Sequence, residues 1–384
     1  MATQELIGKV PNASAEEMTE AVTAAREAFK AWKKTSQKQR VALIEEIAQR
    51  LEARADEVAK IEALDTGNTV GPMTNDVHKA VERMHFYCGL AYELKGMTIP
   101  STPENIHLTL REPYGVVGRI IPFNHPIGFA ASRIAPALIT GNTIVVKPSE
   151  QAPLSASLLA GICAEVAPPG VINIVTGDRT TGEVLVRDPR VKRIAFIGSV
   201  PTGMKIQNAA SEVAVKSVSL ELGGKNPLIA CPDADIDQVA TAAIRGMNFA
   251  WQGQSCGSTS RILLHESLHD GVVAKMVEKL KVLRIGDPLN PDVNMGPVNS
   301  KKQYDRVMML IQEAKDQGAE CLVGGSRPTG PGFELGYWVQ PTLFQGKLKY
   351  LTPLAPASKR RYSFTGVGYA STFSFIYFSG ACTK

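Results

Sequence analysis

The chain has 384 residues, 44% hydrophobic and 21% charged, long enough for two or three domains at roughly 150 residues each. Its longest apolar runs fall far short of the ~18 residues a membrane-spanning helix needs, and Met1–Lys9 has no basic-then-apolar secretory order. The net charge of +5 belongs to the end: residues 347–384 carry six Lys or Arg and no acid, while the other 346 residues carry 36 basic against 37 acidic side chains, which excludes a nucleic-acid argument for the body.

Six cysteines (Cys88, Cys163, Cys231, Cys256, Cys321, Cys382) form no C-x-x-C pair, and no histidine stands at ligand spacing from them. Neither a disulfide framework nor a metal centre is expected, and a reducing cytoplasm fits.

In chain order, Ser14 and Glu17 make a capping box ahead of Met18, Val22, Ala25, Phe29 and Trp32, which recur at helical spacing. A second helix is expected from Ser36, with Leu43, Ile44, Ile47, Leu51, Val58 and Ile61 on one face, ending near Gly67. Residues 93–112 read as a projecting hairpin. From residue 113, short β-branched runs (Val116–Ile121, Thr143–Val146, Val171–Val175, Arg193–Ile197) alternate with helical stretches such as Ser155–Val166. Strand, helix, strand in this order predicts an α/β fold with a doubly wound parallel sheet. A second α/β portion follows, with helices at Asp235–Asn248 and Leu268–Lys281. The division read from sequence is 1–223, then a partial domain at 224–346, then a tail at 347–384.

Ligands of open parallel sheets bind beyond the carboxyl ends of the strands. Four segments lie at such ends: Pro122-Phe123-Asn124-His125-Pro126, Val146-Lys147-Pro148-Ser149-Glu150, Phe196-Ile197-Gly198-Ser199 and Leu220-Glu221-Leu222-Gly223-Gly224-Lys225. Gly253-Gln254-Ser255-Cys256-Gly257 follows. It matches the G-x-S-x-G elbow of serine hydrolases, but that motif needs a later acid and a later histidine. The last histidine is His269, with only Glu266 close before it, so that chemistry is set aside. Taken singly, Cys256 reads as a buried small hydrophobe, Glu221 as a solvated face and Asn124 as a turn residue.

Together and in this order, the five segments resemble the signature set of the aldehyde dehydrogenase superfamily, from about residue 8 to about residue 346. The resemblance implies Cys256 as nucleophile, Glu221 as the base that activates water, and Asn124 as an oxyanion donor. It also implies cofactor contacts from Phe123, Lys147, Glu150, Gly182, Gly198, Ser199 and Leu222. Glu221 argues against the branch that transfers acyl groups to coenzyme A. A carboxylate at Glu150 accepts from a ribose 2′-hydroxyl and repels a 2′-phosphate, so NAD is expected over NADP. The expected partner is a small aldehyde, and the family suggests a homo-oligomer, with part of the interface missing here. No G-x-G-x-x-G is present. Phe123 and His125 stand where the family more often has Trp and an apolar aromatic.

After Phe344 the resemblance stops. The last 38 residues hold eight aromatics and no acid, against sixteen aromatics in all the rest. So abrupt a shift is expected of a frameshift, an altered splice or a mispredicted gene end. A truncated catalytic domain is then expected to leave unpaired strand edges and aggregation-prone sequence at Thr372–Phe378. The alternative to an oxidoreductase is an inactive remnant that at most binds nucleotide.

Overall fold

Helix entry is written into local side chains. In the computed structural model, which describes residues 2–346 and the backbone of Phe373–Ser379, Ser14 accepts the Glu17 amide and Glu17 accepts the Ser14 amide. Helix α1 (Ala15–Trp32) follows, burying Met18, Val22, Ala25, Phe29 and Trp32 as expected. Ser36 and Gln39 repeat the capping box. The single helix expected from there to Gly67 is instead two, α2 (Gln37–Ala53) and α3 (Ala55–Thr66). Arg54 breaks it, at φ −112° and ψ 17°. Leu51, Ala55 and Val58 bury into one core on both sides of the break, so apolar spacing could not reveal it. Helix α4 (Val70–Leu90) has no counterpart in the sequence reading, although Met73, Val77, Ala80, Met84 and Cys88 keep helical spacing. Strands β1 (Thr98–Ile99) and β2 (His107–Leu108) pair antiparallel inside the expected hairpin.

Strands and helices then alternate: β3 (Val116–Ile120), α5 (Pro126–Ile139), β4 (Thr143–Lys147), α6 (Leu154–Val166), β5 (Ile172–Ile174), α7 (Arg179–Arg187), β6 (Val191–Gly198), α8 (Val200–Ser211) and β7 (Ser217–Leu222). The sheet order is β5-β4-β3-β6-β7, with β3 parallel to β4 and β6, and β4 parallel to β5. β4 is buried along its whole length, which is why it reads as a continuous apolar run rather than an alternating one. At Gly118 an added Cβ would lie 2.8 Å from Ile194 Cδ1 and 3.2 Å from Leu185 Cγ, so the absence of a side chain lets α7 sit close on the sheet. The doubly wound α/β expectation holds.

Residues Ile7–Asp65 and Met73–Glu221 form this compact unit. Among the described residues, those up to Leu6, Thr66–Pro72 and those from Leu222 form a second, although sequence order sets the first two stretches beside the first unit. Its elements are β8 (Pro227–Ala230), α9 (Ile236–Gly246), β9 (Arg261–His265), α10 (Glu266–Lys281), α11 (Lys301–Asp316), β10 (Glu320–Val323), β11 (Thr342–Gly346) and β12 (Phe373–Ser379). Their order is β10-β11-β12-β9-β8.

Here the structure corrects an expectation. β12 pairs antiparallel with β11 on one side and with β9 on the other, Leu343 opposite Phe378 and Leu263 opposite Phe375. The β-prone stretch read as an aggregation hazard is a central strand, and neither β9 nor β11 is left with an open edge. That removes the open-edge argument for the inactive-remnant alternative. The basic cluster Lys359-Arg360-Arg361 and the aromatics Tyr350, Tyr362, Phe364 and Tyr369 lie outside the described residues.

Candidate active site

In the first unit the strand order reverses between β3 and β6, since β3 connects outward through β4 and β5 on one side and β6 leads to β7 on the other. Such a switch point opens a crevice beyond the carboxyl ends, because the two following loops leave in opposite directions. Phe123 and Asn124 follow β3, Gly198 and Ser199 close β6, and Lys147 ends β4. The sheet thus gathers five of the expected residues at one edge.

Each is held there by local physics. An added Cβ at Gly198 would run into the Phe196 ring, so glycine here lets that ring pack against the turn into α8. Ser199 caps that helix, accepting the Thr202 amide, and Pro201 stands in its first turn. No acidic residue occupies the turn. The helix N-terminus therefore presents amide N–H groups suited to an anion such as a pyrophosphate. Lys147 is buried, its Nζ donating to the Pro148 carbonyl at 3.1 Å and to Glu150 at 3.5 Å. Burial pulls its pKa down, opposed by the Glu150 and Asp178 carboxylates. An added Cβ at Gly182 would meet Lys147 Cδ at 3.7 Å, so the α7 glycine flanks the lysine stem. Glu150 remains open to solvent at 56% side-chain exposure. A buried ammonium, an outward carboxylate and a helix N-terminus on one sheet edge fit a dinucleotide.

Asn124 is buried in the turn before α5, and the N-cap of that helix is His125. His125 Nδ1 lies 2.6 Å from Asp76 Oδ2, and the Ile127 amide donates to Glu62 Oε2 at 2.9 Å. Glu62 is wholly buried, and burial pushes its carboxyl up to about 8; bonds from Ser155 and the Ile127 amide oppose that, and Asp76 and Asp65 add to it. Unfolded, the same group ionises near 4.5. Between those values the folded chain holds a proton that the unfolded chain has lost, so stability falls as pH rises from about 4.5 to about 8 and then levels. The slope approaches about 1.4 kcal/mol per pH unit. Glu62→Gln stays neutral and keeps an acceptor for Ile127. Its melting temperature is expected to fall less than that of the unsubstituted chain between pH 5 and 8, and parallel thermal-melt profiles would refute the assignment.

Glu221 is exposed, next to the last residue of β7, and Leu222 is half-buried after it. Residues Ser217 and Ser219 on the same strand take hydrogen bonds from Arg193. The alternation of this strand therefore places Glu221 on its polar side, as its sequence pattern implied.

Cys256 lies in the second unit, on a loop wound unusually tightly. Asn248, Gln252 and Gly253 all take positive φ, at 59°, 53° and 69°. For the two non-glycine residues this conformation is sparsely populated and persists only where surroundings enforce it. The enforcement is visible. Gly253 N–H donates to the Asn248 carbonyl at 3.1 Å and Gln254 N–H to Trp251 at 2.8 Å, while Gln252 Nε2 donates to the Gly67 carbonyl at 2.7 Å. Asn226 Nδ2 donates to the Cys256 carbonyl at 2.8 Å and to Ser258 at 3.2 Å. An added Cβ at Gly224 would come within 2.8 Å of that same Cys256 carbonyl. The main chain of Cys256 is thus fixed from outside the loop, and the residue is half-buried. Sequence reasoning missed Asn226, Gln252 and Gly67. Gly67 was read only as a helix stop, and nothing in a single sequence marks the other two as supports.

Residues 1–350 match the aldehyde dehydrogenase family. The chain is similar to aldehyde dehydrogenase tropH of Talaromyces stipitatus, 43% identical over 349 residues that make up 89% of this chain and 68% of tropH. Among solved structures, PnpE in complex with nicotinamide adenine dinucleotide superposes with a TM-score of 0.86 at 36% identity, covering 89% of this chain and 70% of PnpE. A 3,6-anhydro-L-galactose dehydrogenase in complex with NADP does so with a TM-score of 0.86 at 31% identity, covering 89% and 72%. Family match, identity over most of the chain and shared fold agree: the chain belongs to the aldehyde dehydrogenase family.

Proposed function

We propose that this protein oxidises a small aldehyde to a carboxylic acid with NAD, using Cys256 as nucleophile, Glu221 as general base and Asn124 as oxyanion donor. The observation that carries the reading is the Cys256 loop. Its main chain is clamped by Asn226 and by three left-handed residues, while its thiol stays partly accessible. Rigid placement of a nucleophile avoids an orientation cost at each turnover.

The Cys256 thiolate adds to the aldehyde carbon, forming a C–S bond and an alkoxide. The Asn124 side-chain amide holds the developing charge. NAD, when bound, accepts the hydride that leaves this carbon, which becomes a thioester. Glu221 takes a proton from water, the water oxygen attacks the thioester carbon, and the C–S bond breaks to return the thiolate and release the acid. The test is NADH formation by the purified chain with NAD and a panel of aliphatic and aromatic aldehydes. Equimolar acid and NADH support the reading, and their absence across the panel sinks it.

Phe123, Lys147, Glu150, Gly182, Gly198, Ser199 and Leu222 are the proposed cofactor contacts. Preference for NAD rests on Glu150, whose carboxylate stands at the edge where the ribose would lie. Glu150→Gln is expected to lower the NAD-to-NADP ratio of kcat/KM by roughly tenfold, since only the charge that repels a 2′-phosphate is lost. An unchanged ratio would assign selectivity elsewhere. A reducing cytoplasmic setting belongs to the same proposal, because the nucleophile must remain a thiol. A homo-oligomer does too. Phe86 and Leu90 on α4, Tyr92 just after it, and Met97, Ile106 and Leu110 of the hairpin are all exposed, and exposed apolar groups of this kind mark candidate contact surfaces.

A further inference from the structure

Asn124 sits in the middle of a short bend, 123–125, and side chains from two other helices grip the chain just after it. A helix N-cap is ordinarily a short polar side chain that accepts an amide from its own helix. At α5 the N-cap is His125, with φ −136° and ψ 61°, and its side chain makes no such bond. The ring turns instead to Asp76 on α4, 2.6 Å away, and packs edge-on against Phe129 with centroids 5.6 Å apart. The cap duty passes to Glu62 on α3, which takes the Ile127 amide. The side chains of Asp76 and His125 are only 10% and 20% exposed, so water competes little with their bond. On the upstream side Phe123 is buried, and the Ile121 amide is tied to the Lys147 carbonyl at 3.1 Å.

We infer that Asp76, acting through His125, is a positioning residue that sets the orientation of the Asn124 amide for the reaction. This rests on the oxyanion reading of Asn124 given above. His125 is covalently adjacent to Asn124, so the torsions that place the His125 ring also place the Asn124 main chain. An oxyanion donor works only within a narrow distance of about 2.7–3.1 Å, and an error of about 1 Å in placement is enough to cost two orders of magnitude in rate. Glu62 cannot do this alone, since it holds the turn at Ile127, three residues beyond Asn124. The Asp76 contact acts on the neighbouring residue itself. Glu62 and Asp65 are the other carboxyl groups at this cluster; Glu62 accepts the Ile127 amide and Asp65 the Leu154 amide.

The experiment is a double-mutant cycle in the full chain: unsubstituted, Asn124→Ala, Asp76→Ala and the pair, each assayed for kcat and for aldehyde and NAD KM. Asp76→Ala is expected to lower kcat by about 10- to 100-fold, short of the roughly 10²–10³ for losing a donor outright, with both KM values within about threefold. The double variant is expected to be no slower than Asn124→Ala alone, because a residue acting through Asn124 has nothing left to position. Asp76→Asn, which keeps the volume and an acceptor for the ring N–H, is expected to recover most of the rate, and Asp76→Ser, too short to reach the ring, carries the cycle if the alanine variant does not fold. Losses that multiply in the double variant, or an Asp76 variant with lowered melting temperature and unsubstituted kcat, overturn the inference. Asn124→Ala at full kcat is a different result: it removes the oxyanion reading itself, and the inference with it.

Discussion

Cys256→Ala is expected to lower aldehyde oxidation by at least about 10⁴-fold while leaving the melting profile and NAD binding close to those of the unsubstituted chain. The size of the loss follows from the chemistry. Without sulfur there is no covalent intermediate, and hydride would have to leave from a hydrated aldehyde held by no bond; removing the nucleophile of a covalent mechanism can cost about 10⁶ in kcat. The survival of the fold follows from the structure. What organises the loop does not use the side chain of residue 256: the Asn226 side-chain bond to the residue-256 carbonyl, the Gly253 amide bond to Asn248 and the Gln252 side-chain bond to Gly67. Alanine retains all of them and removes one half-buried sulfur atom. Kinetics, isothermal titration with NAD and a thermal melt on the same preparation separate the two halves of the claim. Residual turnover within about tenfold would refute Cys256 as nucleophile. Lost activity with a collapsed melt would show that the thiol is needed for structure instead.

How much of this was legible beforehand varied with how local the cause is. The capping boxes at Ser14 and Ser36 involve residues three apart, so both helix starts could be read directly. β3 and β4 were legible because burial on both faces leaves continuous β-branched runs. The break at Arg54 was not, since the apolar stripe continues across it. Glu62 was hidden for a related reason: Ile61 was expected on the apolar face, yet Ile61 is half-buried and the neighbouring acid is wholly buried. Its partners are Ile127 and Ser155, far along the chain, and no local pattern announces a tertiary cap. The site shows the same division. Cys256 and Glu221 stand in motifs, but Asn226 and Gln252 support the Cys256 loop through contacts that only the fold creates. β12 was the largest surprise. Its uncharged aromatic run is what a hazardous edge looks like in sequence, and also what a strand with neighbours on both sides looks like. Pairing on both sides, which a sequence does not display, decides between them.

Glu221→Gln is expected to separate the two halves of the reaction. Glutamine matches the carboxylate in shape and remains polar at the one exposed position of β7, so the strand should be undisturbed, but it cannot take a proton from water. Acylation of Cys256 and hydride transfer do not use this group, and they are expected to proceed. Rapid mixing should therefore show a burst of about one NADH per active chain, followed by a steady state slower by about 10²–10⁴-fold, the usual worth of a general base. During the slow phase the chain should carry the acyl group on Cys256, visible as a mass increase by intact-protein mass spectrometry and lost on Cys256→Ala. Hydroxylamine, a nucleophile that needs no base to attack a thioester, is expected to restore turnover and yield the hydroxamate. A steady-state rate equal to that of the unsubstituted chain would place the base elsewhere. A loss of the burst along with the steady state would mean that Glu221 acts before the thioester, on the thiol. The two failures point to different residues in different steps, and the burst amplitude alone tells them apart.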